Sequence, residues 1–382
     1  GCTSLQDLPD IPNCKELDCS DCTSLDRLPA LLACQKLNCS GCTRLQTLPL
    51  ELSVCEELIC SFCPCLQKLP ALLACTKLIC IGCTDLQTLP LELSVCEELN
   101  CSGCQNLQAL PLALSACKNL NCSGCTDLKT LPLELSVCEC LTCVNCFVLE
   151  TLPLALPTCT RLNCSGCESL QALPLELPVC EWLECINCFV LQALPLELLA
   201  CTRLFCSGCE SLQELPLELP ECKELECINC SSLQALPEIL PACRRLDCSG
   251  CTSLRALPRL PARTRLSCSN CPLLPPQVQQ PAQPVVRRPN LYQREIDRAA
   301  QVVLEAIESC GDRLATGLNN LEMLSLMYGE NKPKTDVDQA FLAIRILRLE
   351  QVREKAEKSH TQKDPSGKKN IIVGDLIETQ LF

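Results

Sequence analysis

Aromatic residues are almost missing from this chain: six Phe, two Tyr and one Trp amount to 2% of 382 residues. A core of ordinary size has to be built from leucine and cysteine instead, and little material is left for stacking nucleic-acid bases. Positive charge is also short, with 32 basic against 45 acidic residues and a net charge of −13. That balance is the opposite of a nucleic-acid footprint, which shows as a basic stripe. No run of about 18 uncharged apolar residues occurs, so no segment is expected to span a bilayer. Histidine is down to one residue, His360, in a polar stretch that reads as a loop. A Cys–His catalytic pair is therefore hard to build. No Met or signal-like segment precedes Gly1-Cys2, which opens inside a motif and reads as the edge of a fragment.

What the chain has in excess is cysteine, 42 residues of it. Cys-x-x-Cys pairs begin at Cys19 and Cys39 and recur every 20 or 21 residues to Cys268. Such a period marks a solenoid, in which each unit buries its apolar face only against its neighbours. One unit reads Cys34-Gln-Lys-Leu37-Asn-Cys39-Ser-Gly-Cys42-Thr-Arg-Leu45-Gln-Thr-Leu48-Pro49. Over residues 2–274 this resembles the leucine-rich-repeat pattern, with Cys in place of the first Leu, the third Leu and the Asn. The short period and the Leu-Pro pair in each unit, from Leu8-Pro9 to Leu257-Pro258, look most like bacterial leucine-rich repeats.

Alternation with period two places Leu37 and Cys39 inward and Asn38 outward, which is a short parallel strand. At Cys42 the chain turns out of the strand, where a small buried side chain able to donate to a neighbouring carbonyl is needed. Proline after Leu48 suits an irregular convex side better than a helix. Strands about 4.8 Å apart make an arc on the order of 60 Å with a long concave face. The cysteines admit three readings. They are packing residues in inward slots, zinc ligands at ribbon-like spacing, or disulfides. The size of the core favours a reducing compartment.

Inward positions hardly vary, while the outward residue between Leu and Cys runs through Asn, Ile, Thr, Glu, Phe and Asp. Trp182 is outward and Phe205 lies one strand further on. With Arg161, Arg203 and Glu184 they form a candidate hot spot on the concave face, because Trp and Arg dominate interface energies; single exposed apolar residues are otherwise normal on any surface. Residues 1–276 hold 30 acidic and 17 basic residues, and the remainder 15 of each. The repeats carry all the net charge, which points to a protein partner with a basic or mixed surface. Units with Ser-Gly between the cysteines interleave with units carrying Val144-Asn145, Ile186-Asn187 and Ile228-Asn229, as duplication of a two-unit block would produce.

The domain reading is a solenoid over residues 1–271, a Pro-rich extended linker over 272–290 and a helical region over 291–382. The expected fold class is α+β. Asn290 caps a helix with Ile296, Ala299, Val303 and Ile307 on one face. Gly311 breaks it from a second helix carrying Leu314, Leu318, Leu321 and Leu324, and a third fits 336–358. Cys310 differs from the other 41 cysteines in lying outside the repeat, just before a helix, where unpaired N–H groups favour a thiolate. Asp312 is placed to cap that helix and to accept a proton from an incoming nucleophile. A buried helix-end cysteine is the plainer reading of the same residue.

Glu308-Ser-Cys310-Gly-Asp312-Arg313, followed by Leu318-Asn-Asn-Leu321, resembles the Cys-x-Asp segment of the bacterial NEL ubiquitin-ligase effectors. Phe341–Glu350 is similar to the segment that follows it in that family. The resemblance implies an enzyme, a ubiquitin-protein transferase. Cys310 would accept ubiquitin as a thioester from a host conjugating enzyme, Asp312 would assist attack by a lysine, and the repeats would select a host target protein. It implies secretion into the host cytoplasm and requires no metal or organic cofactor. The catalytic region is shorter than the family's and is read as incomplete. The rival expectation is a non-catalytic repeat scaffold that binds a host protein, with a degenerate helical tail.

Overall fold

A computed structural model describes residues 1–275 apart from residues 113, 133 and 196. A three-residue strand recurs once per unit. The series runs from β1 (Glu16–Asp18) and β2 (Lys36–Asn38) through β7 (Cys140–Thr142), β8 (Arg161–Asn163), β9 (Trp182–Glu184), β10 (Arg203–Phe205), β11 (Glu224–Glu226) and β12 (Arg245–Asp247) to β13 (Arg265–Ser267). The thirteen strands form one parallel sheet in chain order. Register is kept throughout, so Leu183, Leu204 and Leu225 stand side by side. The strand begins one residue earlier than the Leu-x-Cys alternation suggests, at Lys36 rather than Leu37. Cys39 still takes part in pairing, since its N–H donates to the Ile59 carbonyl at 2.8 Å.

No helix occurs among the described residues. The return side of each unit is turns and isolated parallel bridges such as Thr130↔Thr151 and Thr151↔Ala172, as one Leu-Pro per unit led us to expect. This part is thus a parallel β-solenoid. The helices expected in 291–382, and nearly all of the linker, lie outside the described residues.

Each unit sends the same residues inward. In one unit Leu45, Leu52, Cys55, Leu58, Cys60 and Cys63 are fully buried. Each leucine is worth roughly 1.5–3 kcal/mol once covered, and the cover comes from the adjacent turn, so stability resides in the stacking. The last strand shows the converse: Leu266 of β13, with a neighbour on one side only, is 38% exposed.

From the second pair on, the second cysteine satisfies the backbone in the place where the repeat pattern has Asn. The Cys42 thiol donates to the Cys19 carbonyl at 3.2 Å, Cys63 to Cys39 at 3.1 Å and Cys83 to Cys60 at 3.0 Å, and the series continues to Cys271 on Cys248 at 3.1 Å. A second ladder precedes the strands, where Cys34 donates to the Lys36 carbonyl and Cys55 to that of Glu57. Burial pushes the Cys55, Cys75 and Cys96 thiols up to about 12. They are protonated at neutral pH, as hydrogen-bond donation requires, and are inert as nucleophiles. All 41 described cysteines are free thiols, and among the described residues no group of three or more His, Cys, Asp or Glu is placed to hold a metal ion. Two cysteines stand apart from these ladders. Cys65 and Cys140 lie within the repeat but outside the inward ladders, and both are half-buried. Cys140 precedes the inward Leu141, so alternation turns it to the outer face of β7.

The two-unit alternation has a steric cause in addition to any duplication. The second residue between paired cysteines is left-handed in every unit, with φ between 56° and 78°. Wherever it is not glycine and another described unit follows, that unit has glycine: Asp21 precedes Gly41, Phe62 precedes Gly82, and Asn145, Asn187 and Asn229 precede Gly166, Gly208 and Gly250. A Cβ at Gly166 would land on Oδ1 of Asn145, and one at Gly208 on Oδ1 of Asn187. The preceding residue completes the pattern. An Ile or Val there has no polar side chain near its own N–H, and a serine of the unit before supplies the acceptor. Ser123 accepts from Val144, Ser165 from Ile186 and Ser207 from Ile228, at 3.1–3.2 Å.

Candidate protein-binding surface

The outer face of the sheet carries two rows of side chains, one from the first and one from the third position of each strand, divided by the buried leucines. From β8 to β12 the first row reads Arg161, Trp182, Arg203, Glu224, Arg245. The third-position row reads Asn163, Glu184, Phe205, Glu226, Asp247. Leu162, Leu183 and Leu204 beneath are at most 1% exposed, so the backbone that presents these groups is fixed by the core.

All five residues singled out from the sequence meet here. The Trp182 and Phe205 rings pack edge to face with centroids 6.5 Å apart. The guanidinium carbons of Arg161 and Arg203, from the two flanking strands, lie 5.8 and 5.0 Å from the Trp182 ring centroid. Glu184 accepts the indole N–H at 2.7 Å through Oε1 and the Asn163 amide through Oε2. Both of its oxygens are engaged, so Glu184 orients the tryptophan and is not a free carboxylate for a partner. A guanidinium over a ring face is attracted by the ring quadrupole and still carries N–H donors for a carboxylate.

Reading the strands alone misses the neighbouring row, one residue before each strand. Thr202, Lys223 and Arg244 come from it and, with Arg161, Trp182, Arg203, Glu181 and Glu224, line an open depression of about 340 Å³. Its signal in the sequence is the register itself, because residues 21 apart must stand side by side. Arg203 lies 3.9 Å from Glu224, and Arg245 is paired with Glu226 at 3.1 Å. Arg161, Lys223 and Arg244 have no ion-pair partner among the described residues. The other end of the sheet differs: the first row there alternates Glu16, Lys36, Glu57, Lys77, Glu98, and ion pairs such as Lys77–Glu98 at 3.2 Å neutralise it.

The proposed catalytic pair, Cys310 and Asp312, lies outside the described residues. No helix among the described residues is long and apolar enough to cross a membrane.

No family model matches the chain. No curated protein matches it either. Among solved structures, the chain is similar to YopM, a leucine-rich effector protein from Yersinia pestis, at 24% identity over 69% of this chain and 79% of that one, with a TM-score of 0.46. It is also similar to a leucine-rich-repeat protein from Bacteroides ovatus at 17% identity, covering 72% and 78% of the two chains with a TM-score of 0.40. A third similarity is to the leucine-rich-repeat domain of the type III effector XopL, at 21% identity, 56% and 64% coverage and a TM-score of 0.25.

Proposed function

We propose that this chain is a protein-recognition scaffold that binds its partner on the outer face of the sheet around Trp182. The observation that carries the reading is the contrast between the two surfaces of one sheet. The inner surface is Leu and Cys, whereas the outer one gathers the only tryptophan, a phenylalanine and two arginines over the indole at a single place. Aromatic and arginine anchors at the centre of a fixed surface are the composition of an interface hot spot. The test is capture from host-cell extract by the full chain, by Trp182→Ala/Arg203→Ala and by a control altered at the neutralised end, Lys77→Ala. A protein retained by wild type and control but lost from the double variant supports the reading, and identical retention by all three refutes it.

The second reading is the finer one, a ubiquitin-protein ligase of effector type acting in the host cytoplasm. Its support is the sequence Glu308–Arg313 with Leu318–Leu321, and the order of repeats before a segment whose apolar spacing predicts helices. In it Cys310 attacks the ubiquitin thioester of a host conjugating enzyme, the conjugating enzyme's thiol leaves, and Asp312 takes the proton of the substrate lysine that attacks next. Autoubiquitination by wild type but not by Cys310→Ala would establish it. Equal inactivity of both with several conjugating enzymes would leave the scaffold alone.

A further inference from the structure

The net charge of the repeats points to a basic partner, yet the site itself has the opposite local sign. We infer that the Trp182 depression takes the carboxylates of an acidic protein segment; this rests on the scaffold reading and names the chemistry of the partner at that same face. Four cations, Arg161, Arg203, Lys223 and Arg244, line the depression against two carboxylates, Glu181 and Glu224. Three of the four have no ion-pair partner among the described residues, so they bring uncompensated donors to one place. An unpaired cation beside a partly dry surface is an open half of a charge-assisted pair.

Position makes the donors directional. Arg161 and Arg203 are held against the indole from β8 and β10, and the indole is itself held by Glu184. Their guanidinium edges are therefore pre-organised before a ligand arrives, which lowers the ordering cost of binding. The presence of Glu181 and Glu224 selects among anions. A dianionic phosphate set between them is repelled by both, whereas single carboxylates spaced along a chain can each meet one cation. Of the acids beside the depression, Glu184 is engaged by Trp182 and Asn163 and Glu226 is paired with Arg245, and acids further along the solenoid are screened beyond a Debye length of about 8 Å at physiological salt.

The chain's only tryptophan is inside the site, so its emission reports occupancy without a label. The experiment titrates the full chain, under reducing conditions, with four capped peptides of one length. One alternates Glu with Ser, one has Gln in place of Glu, one has Lys in place of Glu, and one carries a single phosphoserine in the Gln background. A saturable change with the Glu peptide alone is expected, weakened about tenfold by Arg244→Ala and again by Lys223→Ala, both exposed positions whose loss leaves the core untouched. Absence of saturation with the Glu peptide, equal response to the Gln or Lys peptide, or tighter binding of the phosphopeptide overturns the inference. Should a captured protein depend on Trp182 and Arg203 while the Glu peptide does not bind, the carboxylate assignment fails and the scaffold reading stands; loss of both results removes both.

Discussion

Raising the pH is expected to unfold the solenoid through its own core. The Cys55, Cys75, Cys96, Cys201 and Cys222 thiols are fully buried, and burial moves each from the ordinary 9.0 to about 12. In the unfolded chain the same thiols release their protons above pH 9. The contribution of each is therefore complete below pH 9 and is lost as the pH climbs towards 12. At pH 10 the loss is about 1.4 kcal/mol per thiol, whatever the folded value so long as it stays above 11. Five thiols give about 7 kcal/mol, comparable with the ~5–15 kcal/mol that separates folded from unfolded states in most domains. Urea titrations followed by far-UV circular dichroism, under a phosphine reductant at half-unit steps from pH 7 to 10.5, measure this directly. The midpoint should hold constant to about pH 8.5 and then fall steeply. Cys96→Ala should reduce the slope above pH 9.5 by about 1.4 kcal/mol per pH unit, the signature of one proton. A midpoint unchanged between pH 8 and 10.5, or a slope indifferent to Cys96, refutes the assignment of these thiols as desolvated donors.

Three further outcomes follow from the packing. Gly166→Asn should cost about 1–3 kcal/mol in urea unfolding because Asn145 and Asn187 flank it in the adjacent units, Gly103→Asn should cost under ~1 kcal/mol because both its neighbours are glycine, and the pair Asn145→Gly/Asn187→Gly should rescue the first variant. Ser165→Ala should destabilise by about 1 kcal/mol through the orphaned Ile186 N–H, and a cost within error of zero would show that water replaces the hydroxyl. Glu184→Ala should shift the Trp182 emission to longer wavelength and broaden it while leaving the urea midpoint within about 1 kcal/mol, since the carboxylate holds the indole and not the core.

The inward half of this fold was legible because it is repetitive. A leucine two residues before a cysteine, every 20 or 21 residues, leaves one arrangement in which all of them are covered, and thirteen strands in chain order are its consequence. The thiol at Cys42 was likewise readable, because a chain leaving a strand exposes a carbonyl that some donor must meet, and that carbonyl is Cys19's. Cys65 and Cys140 lie outside the inward slots, which a count of cysteines does not distinguish and alternation about Leu141 does. The pairing of Asn145 with Gly166 was visible as a pattern but not as a cause, since the contact is between units and appears only when the left-handed turns are stacked.

The binding face shows where strand-by-strand reading stops. Trp182, Phe205, Arg161, Arg203 and Glu184 could be gathered from alternation, but alternation cannot say that Glu184 is consumed by the indole and Asn163. It also passes over Lys223 and Arg244, which lie just before their strands and reach the site only because register carries each unit beside the last. A net of −13 averages over units, while a ligand meets three or four side chains at a time. In a solenoid the physically relevant sequence for recognition therefore runs across the turns, one residue in about twenty-one, and along that line the acidic chain reads Arg161, Trp182, Arg203, Glu224, Arg245.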